Sequence, residues 1–163
     1  MSFKPRYIVL HHSASPPDTT LKEVDRWHKA RQFKSPSGIH CGYHFVISQP
    51  ADAAPIIEAG RPLTERGAHL KPERSAEVYN SNSFGICITG QNAHQADNYN
   101  PSTPGQILQA VEMIATLCRD FDIPAGNVRL HKEERPTLCP GFDDMYGEFI
   151  RGAVAELLEG ESE

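Results

Sequence analysis

Eight histidines and four cysteines are present in this sequence, and three of them, His11, His131 and Cys139, are placed so that they could share one metal ion. A catalytic zinc ion typically takes three ligands from histidine, cysteine or carboxylate side chains and keeps a fourth position for water. Seven residues separate His131 from Cys139, and a loop of that length can turn back so that both side chains reach one ion. Spacing alone leaves a structural role open for each residue, because a histidine at a strand end is often simply hydrogen-bonded.

Other histidines and cysteines offer poorer metal sites. His40, Cys41 and His44 lie close together in the sequence, but one of them would be on the opposite face of a strand. His12 directly follows His11, and alternation of side chains along a strand turns it away from its neighbour. We therefore expect His12 to be a core or supporting histidine, outside the ligand set.

Length and composition predict one globular domain. The chain has 163 residues, 39% hydrophobic and 23% charged, enough for a core that needs no disulfides. We expect a folded domain over residues 1–158 and an acidic tail over 159–163. The formal net charge of −5 gives no broad positive field, so nucleic acid is not an expected partner.

The cysteine spacing and the N-terminal residues indicate a cytosolic origin. The four cysteines lack the dense, regular spacing of a secreted disulfide scaffold, so we expect free thiols, with Cys87 and Cys118 in the core. Only four apolar residues lie between Arg6 and His11, too few for a signal-peptide core or a membrane span. The expectation is a protein that is cytoplasmic as synthesised.

Hydrophobic periodicity predicts the elements that must position these side chains. Runs rich in β-branched and aromatic residues predict strands at 7–10, 43–47, 56–58, 84–88 and 128–131. Capping patterns and helical spacing predict helices from Thr20 to about residue 33, from Thr103 to about residue 121, and from about residue 142 onward. Residues 60–83 lack such periodicity and predict a surface loop.

This order of elements predicts an α/β fold in which helices flank a mixed central β-sheet. Sites in such sheets often lie in the crevice beyond the strand ends. His11 and His131 both fall at the ends of predicted strands. The expected architecture is therefore a single domain with a zinc cleft at the strand ends.

Five short motifs occur here in the order known from one family. They are Ile8–Ala14, Gly42–Phe45, Glu58–Arg61, Asn82–Ile86, and His131 followed after seven residues by Cys139-Pro140. Together they resemble the zinc-dependent N-acetylmuramoyl-L-alanine amidases, the type 2 amidase family that includes small phage endolysins and peptidoglycan recognition proteins. The resemblance extends from about residue 6 to about residue 143.

This resemblance implies hydrolysis of the amide between N-acetylmuramic acid and L-alanine, with one Zn2+ held by His11, His131 and Cys139. Zinc in such a site lowers the pKa of its bound water. Tyr43 matches a tyrosine beside the metal that can donate a hydrogen bond to the developing oxyanion. Thr137 stands where some phage enzymes have lysine, so it offers only a neutral hydroxyl. The general base stays open between zinc-bound hydroxide and the Tyr43 phenol.

Four further residues are candidate substrate contacts, each with a plainer alternative. His69 resembles a cleft-lining position, although a surface-loop histidine explains it equally well. Glu58 and Arg61 are expected to brace the cleft or each other, and exposed charges otherwise serve solvation. Asn82 can cap the turn before the strand at 84 and only secondarily contact a peptide.

Two other functions compete with the amidase. A cysteine hydrolase would use Cys139 as nucleophile and His131 as base, and a chelator would not inhibit it. A recognition module would bind muropeptides without cutting them, but relatives of that kind commonly lack the metal cysteine that this sequence retains.

The cysteine ligand resembles the phage branch more than the muropeptide-recycling branch, which usually has aspartate there. We therefore expect a phage or prophage endolysin, with a cytoplasmic muropeptide-recycling amidase as the alternative. The expected partner is peptidoglycan or its muropeptides, reached after release, and the protein is expected to act as a monomer.

Overall fold

Five short strands rich in β-branched and aromatic residues form one sheet at the centre of the protein. They are β1 (Tyr7–His12), β2 (Phe45–Ser48), β3 (Ile56–Ala59), β4 (Ser83–Ile88) and β5 (Val128–Leu130). Their order across the sheet is β3-β2-β4-β1-β5. Strands β2 and β3 are antiparallel, and the other neighbours are parallel. The computed structural model describes residues 2–160, and its mixed sheet confirms the predicted α/β fold.

Within the described part of the chain, four α-helices accompany this sheet: α1 (Leu21–Ala30), α2 (Pro104–Asp120), α3 (His131–Glu134) and α4 (Asp144–Gly160). The first two begin at the predicted capping boxes. The N–H of Thr20 donates to the Glu23 carboxylate at 2.8 Å, and the N–H of Thr103 donates to Gln106 Oε1 at 2.8 Å. None of the helices within residues 2–160 is long and apolar enough to cross a membrane.

Some element boundaries differ from the sequence-based prediction. Helix α1 ends at Ala30 rather than near residue 33, because Gln32 has a positive φ of 63° that ends helical geometry. Strand β2 begins two residues after Tyr43. Helix α4 extends to Gly160 and so includes two residues of the predicted acidic tail, 159–163. The remainder of that tail, 161–163, lies outside the described residues.

The two faces of the sheet have different partners. Ile8, Leu10 and Phe84 point into the main core with α2 and α4. Val9 and Cys87 point to the other face, where Cys87 packs with Val24 of α1. Because side chains alternate along a strand, His11 continues the face of Tyr7 and Val9. It therefore lies on the α1 side of the sheet, away from the main core.

Residues 60–82 contain no helix or strand, as predicted, but they are not simply a surface loop. Arg61, His69, Leu70 and Val78 of this segment are buried. Leu70 and Val78 form a small apolar cluster with Tyr7 and Val9 of β1. Burial of these two side chains fixes the segment against the sheet without regular secondary structure.

Candidate metal centre

Two of the predicted ligands are brought together by neighbouring strands. β1 and β5 are parallel, and Leu10 is paired with Leu130. A histidine follows each of these two leucines in the chain. His11 and His131 therefore lie side by side, with ring centroids 4.5 Å apart. His131 itself does not extend β5 but begins α3, where the carboxylate of Glu133 accepts a hydrogen bond from the N–H of Leu130 at 2.7 Å.

The third predicted ligand returns to the same place through the loop after α3. The N–H of Lys132 donates to the carbonyl of Cys139 at 2.8 Å, which closes this loop. Cys139 Sγ lies 3.7 Å from His11 Nδ1, and the N–H of His12 donates to the same sulfur at 3.3 Å. One ligand atom from each of the three side chains lies within 4.8 Å of the others.

This donor set fits a transition metal such as zinc. Two imidazoles and one thiol are among the combinations found at catalytic zinc sites. His131 Nδ1 is buried and has no hydrogen-bond partner among residues 2–160. A buried polar atom without a partner is rare and calls for an explanation, which a metal bond provides. The three side chains therefore have both the chemistry and the proximity to hold one cation.

Burial sets the protonation of these side chains. It is the main cause that lowers the pKa of His11 well below its usual value and the pKa of His131 to about 4. Both imidazoles are therefore neutral near pH 7, the form that binds metal. Burial also raises the pKa of the Cys139 thiol to about 12, opposed by the N–H of His12. Such a thiol is a weak nucleophile by itself, which disfavours the cysteine-hydrolase alternative.

The three ligands open onto a cleft of about 810 Å³ that Tyr43, Thr137 and His69 also line. The ring centroids of Tyr43 and His11 are 5.0 Å apart. Burial, followed by the nearby Cys87 and Cys139, raises the pKa of Tyr43 well above its usual value, so the phenol stays protonated. Thr137 Oγ1 accepts a hydrogen bond from the N–H of Cys139 at 3.2 Å. The Tyr43 ring and the Thr137 hydroxyl thus lie beside the candidate ligands.

His69 lines the cleft but is buried and lies against His11. Only 8% of its surface is exposed, and its Nδ1 lies 2.9 Å from His11 Nε2. Its other ring nitrogen lies 3.4 Å from the carbonyl oxygen of Ser83 and 3.3 Å from the Ser83 hydroxyl. Both nitrogens of His69 are therefore directed at protein groups.

The other three candidate substrate contacts do not line this cleft. Glu58 accepts a hydrogen bond from the N–H of Leu21 at 3.0 Å, at the start of α1. Arg61 is 3% exposed rather than solvated, and its Nε donates to the carbonyl of Cys41 at 2.7 Å. Asn82 Oδ1 accepts from the N–H of Tyr79 at 2.8 Å. These contacts brace helix, loop and turn, and we propose no substrate role for these residues.

Several cleft residues were not identified as site residues from the sequence. Trp27 and His28 of α1 and Arg31 directly after it line the cleft, as do Lys71 and Arg135. The helical spacing of the first three could have indicated a shared face. His28 Nδ1 accepts a hydrogen bond from the N–H of Gly42 at 2.7 Å, which leaves its proton on Nε2. Lys71 and Arg135 belong to irregular segments, which carry no comparable signal.

Known proteins share both the sequence and the architecture of this chain. A family model described as N-acetylmuramoyl-L-alanine amidase matches residues 1–142. The endolysin of Enterobacteria phage T3 is 31% identical over 150 residues, which are 88% of this chain and 87% of that protein.

Solved structures give the same result. The N-acetylmuramoyl-L-alanine amidase LysC from Clostridium intestinale superposes with a TM-score of 0.69 and 27% identity, covering 94% of this chain and 87% of its own. Drosophila PGRP-LB superposes with a TM-score of 0.62 and 23% identity, covering 85% of this chain and 76% of its own. The second likeness concerns the fold alone.

Proposed function

This chain belongs to the N-acetylmuramoyl-L-alanine amidase family and is a peptidoglycan amidase, and on that premise we propose that its activity requires one zinc ion held by His11, His131 and Cys139. The bond that is cut is the amide between N-acetylmuramic acid and L-alanine. The observation that carries the metal assignment is the approach of one donor atom from each of the three side chains to within 4.8 Å. His131 Nδ1, which has no hydrogen-bond partner among the described residues, supports it independently.

The chain's own side chains supply the remaining chemistry. When bound, zinc supplies Lewis acidity toward an amide carbonyl and a water molecule. Tyr43 is suited to donate a hydrogen bond to the carbonyl oxygen as negative charge develops there, because a phenol is protonated at neutral pH and burial raises its pKa further. The same raised pKa makes Tyr43 a poor general base. Thr137 adds a neutral hydroxyl at the cleft, without the charge that a lysine would bring.

The charge of the cleft favours an acidic substrate. Arg31, Lys71 and Arg135 line it, and Glu73, the one acidic side chain among the described lining residues, lies 4.0 Å from Arg135 Nε. Positive charge that lines a cleft raises the local concentration of anionic ligands. The peptide stem of peptidoglycan carries carboxylates, and we propose that it lies against these basic residues. His69 is assigned no direct contact with the substrate, because both of its ring nitrogens already face protein groups.

The biological setting follows from the relatives. The similar phage T3 protein is an endolysin, and we propose that this chain also acts as a phage or prophage endolysin. In that role it cleaves the cell wall after release from the cell interior. We further propose a monomer whose amidase domain spans residues 1–158, followed by a short acidic tail at 159–163.

Removal of the proposed thiol ligand tests the metal assignment directly. The Cys139→Ala variant should lose stoichiometric zinc and amidase turnover while retaining the fold, because two imidazoles alone hold zinc weakly. Zinc is measured by elemental analysis and the fold by circular dichroism. Turnover is measured on intact sacculi and on soluble muropeptides, with mass spectrometry of the new termini. The matched control is Cys118→Ala, which removes a buried thiol from the main core.

Each outcome of this experiment has a defined meaning. Free L-alanine amino groups on intact glycan, lost with a chelator and regained with zinc, support the proposed function. Cut glycan strands would refute the amidase. Full activity or undiminished zinc content of Cys139→Ala would remove Cys139 from the ligand set. Binding of muropeptides without new termini would support the recognition module instead.

A further inference from the structure

The imidazole of His69 occupies a slot that two glycines keep open. A Cβ atom at Gly85 of β4 would lie 2.6 Å from His69 Cγ, and one at Gly67 would lie 2.4 Å from His69 Cδ2. Real Cβ atoms do not approach so closely, so any larger residue at these positions would displace the ring. The absence of side chains at Gly67 and Gly85 thus makes room for the His69 ring.

The backbone of His69 is also held in place. Its N–H and the N–H of Leu70 both donate to Asn80 Oδ1 at 2.9 Å. Asn80 Nδ2 donates in return to the carbonyl of Leu70 at 2.8 Å. These three hydrogen bonds fix the irregular segment around His69 relative to the turn before β4. The position of the ring is therefore determined from both its backbone and its surroundings.

A directional series of hydrogen bonds runs from this turn to the metal centre. The Ser83 hydroxyl donates to the carbonyl of Tyr79 at 2.6 Å, so its oxygen is free to accept. His69 Nε2 faces both the hydroxyl and the carbonyl oxygen of Ser83, which together require a proton on that nitrogen. His69 Nδ1 then carries no proton and accepts from His11 Nε2 at 2.9 Å.

The last link leaves His11 Nδ1 without a proton, and this is the nitrogen that lies 3.7 Å from Cys139 Sγ. We propose that His69 is a positioning residue that fixes the tautomer and the ring orientation of His11, so that His11 Nδ1 presents its lone pair to the metal. This inference rests on the proposed function, because it assigns His69 to the same metal site. His69 is thus assigned the role of hydrogen-bond acceptor for His11 instead of the substrate contact that the sequence predicted.

An outer partner of this kind changes metal affinity measurably. Metal-ligating histidines usually donate their second N–H to a neighbouring acceptor, and loss of that acceptor typically costs about 10- to 100-fold in metal affinity or activity. Here the acceptor is a neutral imidazole rather than a carboxylate. Loss of His69 should therefore weaken zinc binding by about 10- to 100-fold while the three ligands remain.

Two substitutions separate the hydrogen bond from simple packing. His69→Leu removes the acceptor, whereas His69→Asn keeps an acceptor oxygen at the same number of bonds from Cβ as the imidazole Nδ1. Neither side chain reaches Ser83 as the imidazole does. Zinc affinity is measured by competition with a chromophoric chelator. His69→Leu should show the full loss, and His69→Asn should recover most of the wild-type affinity.

A second buried histidine provides the matched control. His44 is fully buried, its Nε2 lies 2.8 Å from the carbonyl oxygen of Glu65, and its Nδ1 accepts from the N–H of Gly85 at 3.0 Å. It has no hydrogen bond to a proposed ligand among the residues described. His44→Leu should cost stability as His69→Leu does, yet leave zinc affinity unchanged.

A measurement on the metal-free wild-type protein needs no variant at all. Nitrogen-15 NMR of the histidine rings should show the proton of His11 on Nε2, with scalar coupling across the hydrogen bond to His69 Nδ1. A proton on His11 Nδ1 would overturn the inference, as would equal zinc affinity of His69→Leu and the wild type. If the wild-type protein binds no zinc, the proposed zinc-dependent function fails. If it binds zinc and substitution of His69 leaves the zinc affinity unchanged, only this inference fails.

Discussion

Tyr43 shares the cleft with the three candidate ligands, and burial decides what its phenol can do. A tyrosine phenol is already protonated at neutral pH, and burial raises the pKa of this group well above its usual value, so it can donate a hydrogen bond but is not available as a phenolate base. His11 and His131 are neutral for the same physical reason, which prepares them for metal. Low solvent access thus keeps the two imidazoles neutral and the phenol protonated over a wider pH range.

Removal of the Tyr43 hydroxyl should affect the chemical step and little else. We expect Tyr43→Phe to lower kcat by about 10²- to 10³-fold, the usual effect of losing one oxyanion donor. KM and zinc affinity should change little, because the ring still packs near His11. Steady-state kinetics on soluble muropeptides separate kcat from KM.

The control for this substitution is Tyr99→Phe, which removes a hydroxyl from an exposed tyrosine outside the cleft lining. It should leave both kinetic constants unchanged. An undiminished kcat for Tyr43→Phe would show that the phenol does not stabilise the transition state.

At the level of elements, adjacent parallel strands explain why distant residues meet. The pairing of Leu10 with Leu130 aligns β1 with β5, so that the residues after them lie at one sheet edge. The loop after α3 then returns Cys139 through the bond between Lys132 N–H and its carbonyl. Arg135 holds this loop by donating to the carbonyls of Lys71 and Val78.

Helix α2 packs on the main-core face of the sheet, opposite the face that carries His11. Its N-terminal cap should therefore contribute to stability without affecting zinc affinity. The Thr103 hydroxyl accepts from the N–H of Gln106 at 3.2 Å at the start of this helix. Loss of such a cap costs about 1 kcal/mol. We expect Thr103→Ala to lower the free energy of unfolding by about 1 kcal/mol in urea denaturation, with unchanged zinc affinity.

A threonine-to-alanine substitution in the interior of α2 serves as the control for this stability measurement. Thr116 is exposed, and its hydroxyl donates only to the carbonyl of Glu112 one turn earlier. Thr116→Ala should have little effect on stability, because alanine favours helices and no cap is lost. Equal effects of the two substitutions would contradict a capping role for Thr103.

At the level of the whole molecule, buried histidines make stability depend on pH. Burial is the largest cause of a lowered pKa at six of them: His11, His12, His28, His44, His69 and His131. Between about pH 6.5 and pH 4 the unfolded chain binds protons that the folded chain excludes. Their contribution to stability is therefore complete above pH 6.5 and is lost as the pH falls toward 4.

The metal-free protein should accordingly unfold readily in mild acid. For His44 alone, a pKa lowered from 6.5 to about 4 corresponds to about 3 kcal/mol, a large share of the stability of a typical domain. We expect the free energy of unfolding, measured by urea denaturation in a chelator, to fall steeply between pH 7 and pH 4.5. His44→Gln should show a shallower dependence, and a flat profile for the wild type would contradict the burial argument.

The sequence by itself determined the α/β fold and the approximate elements, and it predicted three candidate residues for one cation. Periodicity over neighbouring residues and the donor chemistry of histidine and cysteine are local properties, so His11, His131, Cys139 and the capping boxes can be recognised in the chain. The order of five motifs added the family, which the comparisons confirmed.

Only the tertiary structure decided which polar groups belong to the cleft. Arg61 and Asn82 have the chemistry of substrate contacts, yet they bond to backbone groups away from it. His69 lies in an irregular segment but reaches His11 because Leu70 and Val78 bury that segment against β1. Such contacts join residues far apart in the chain, and their geometry depends on how the sheet, helices and loops pack together rather than on local sequence.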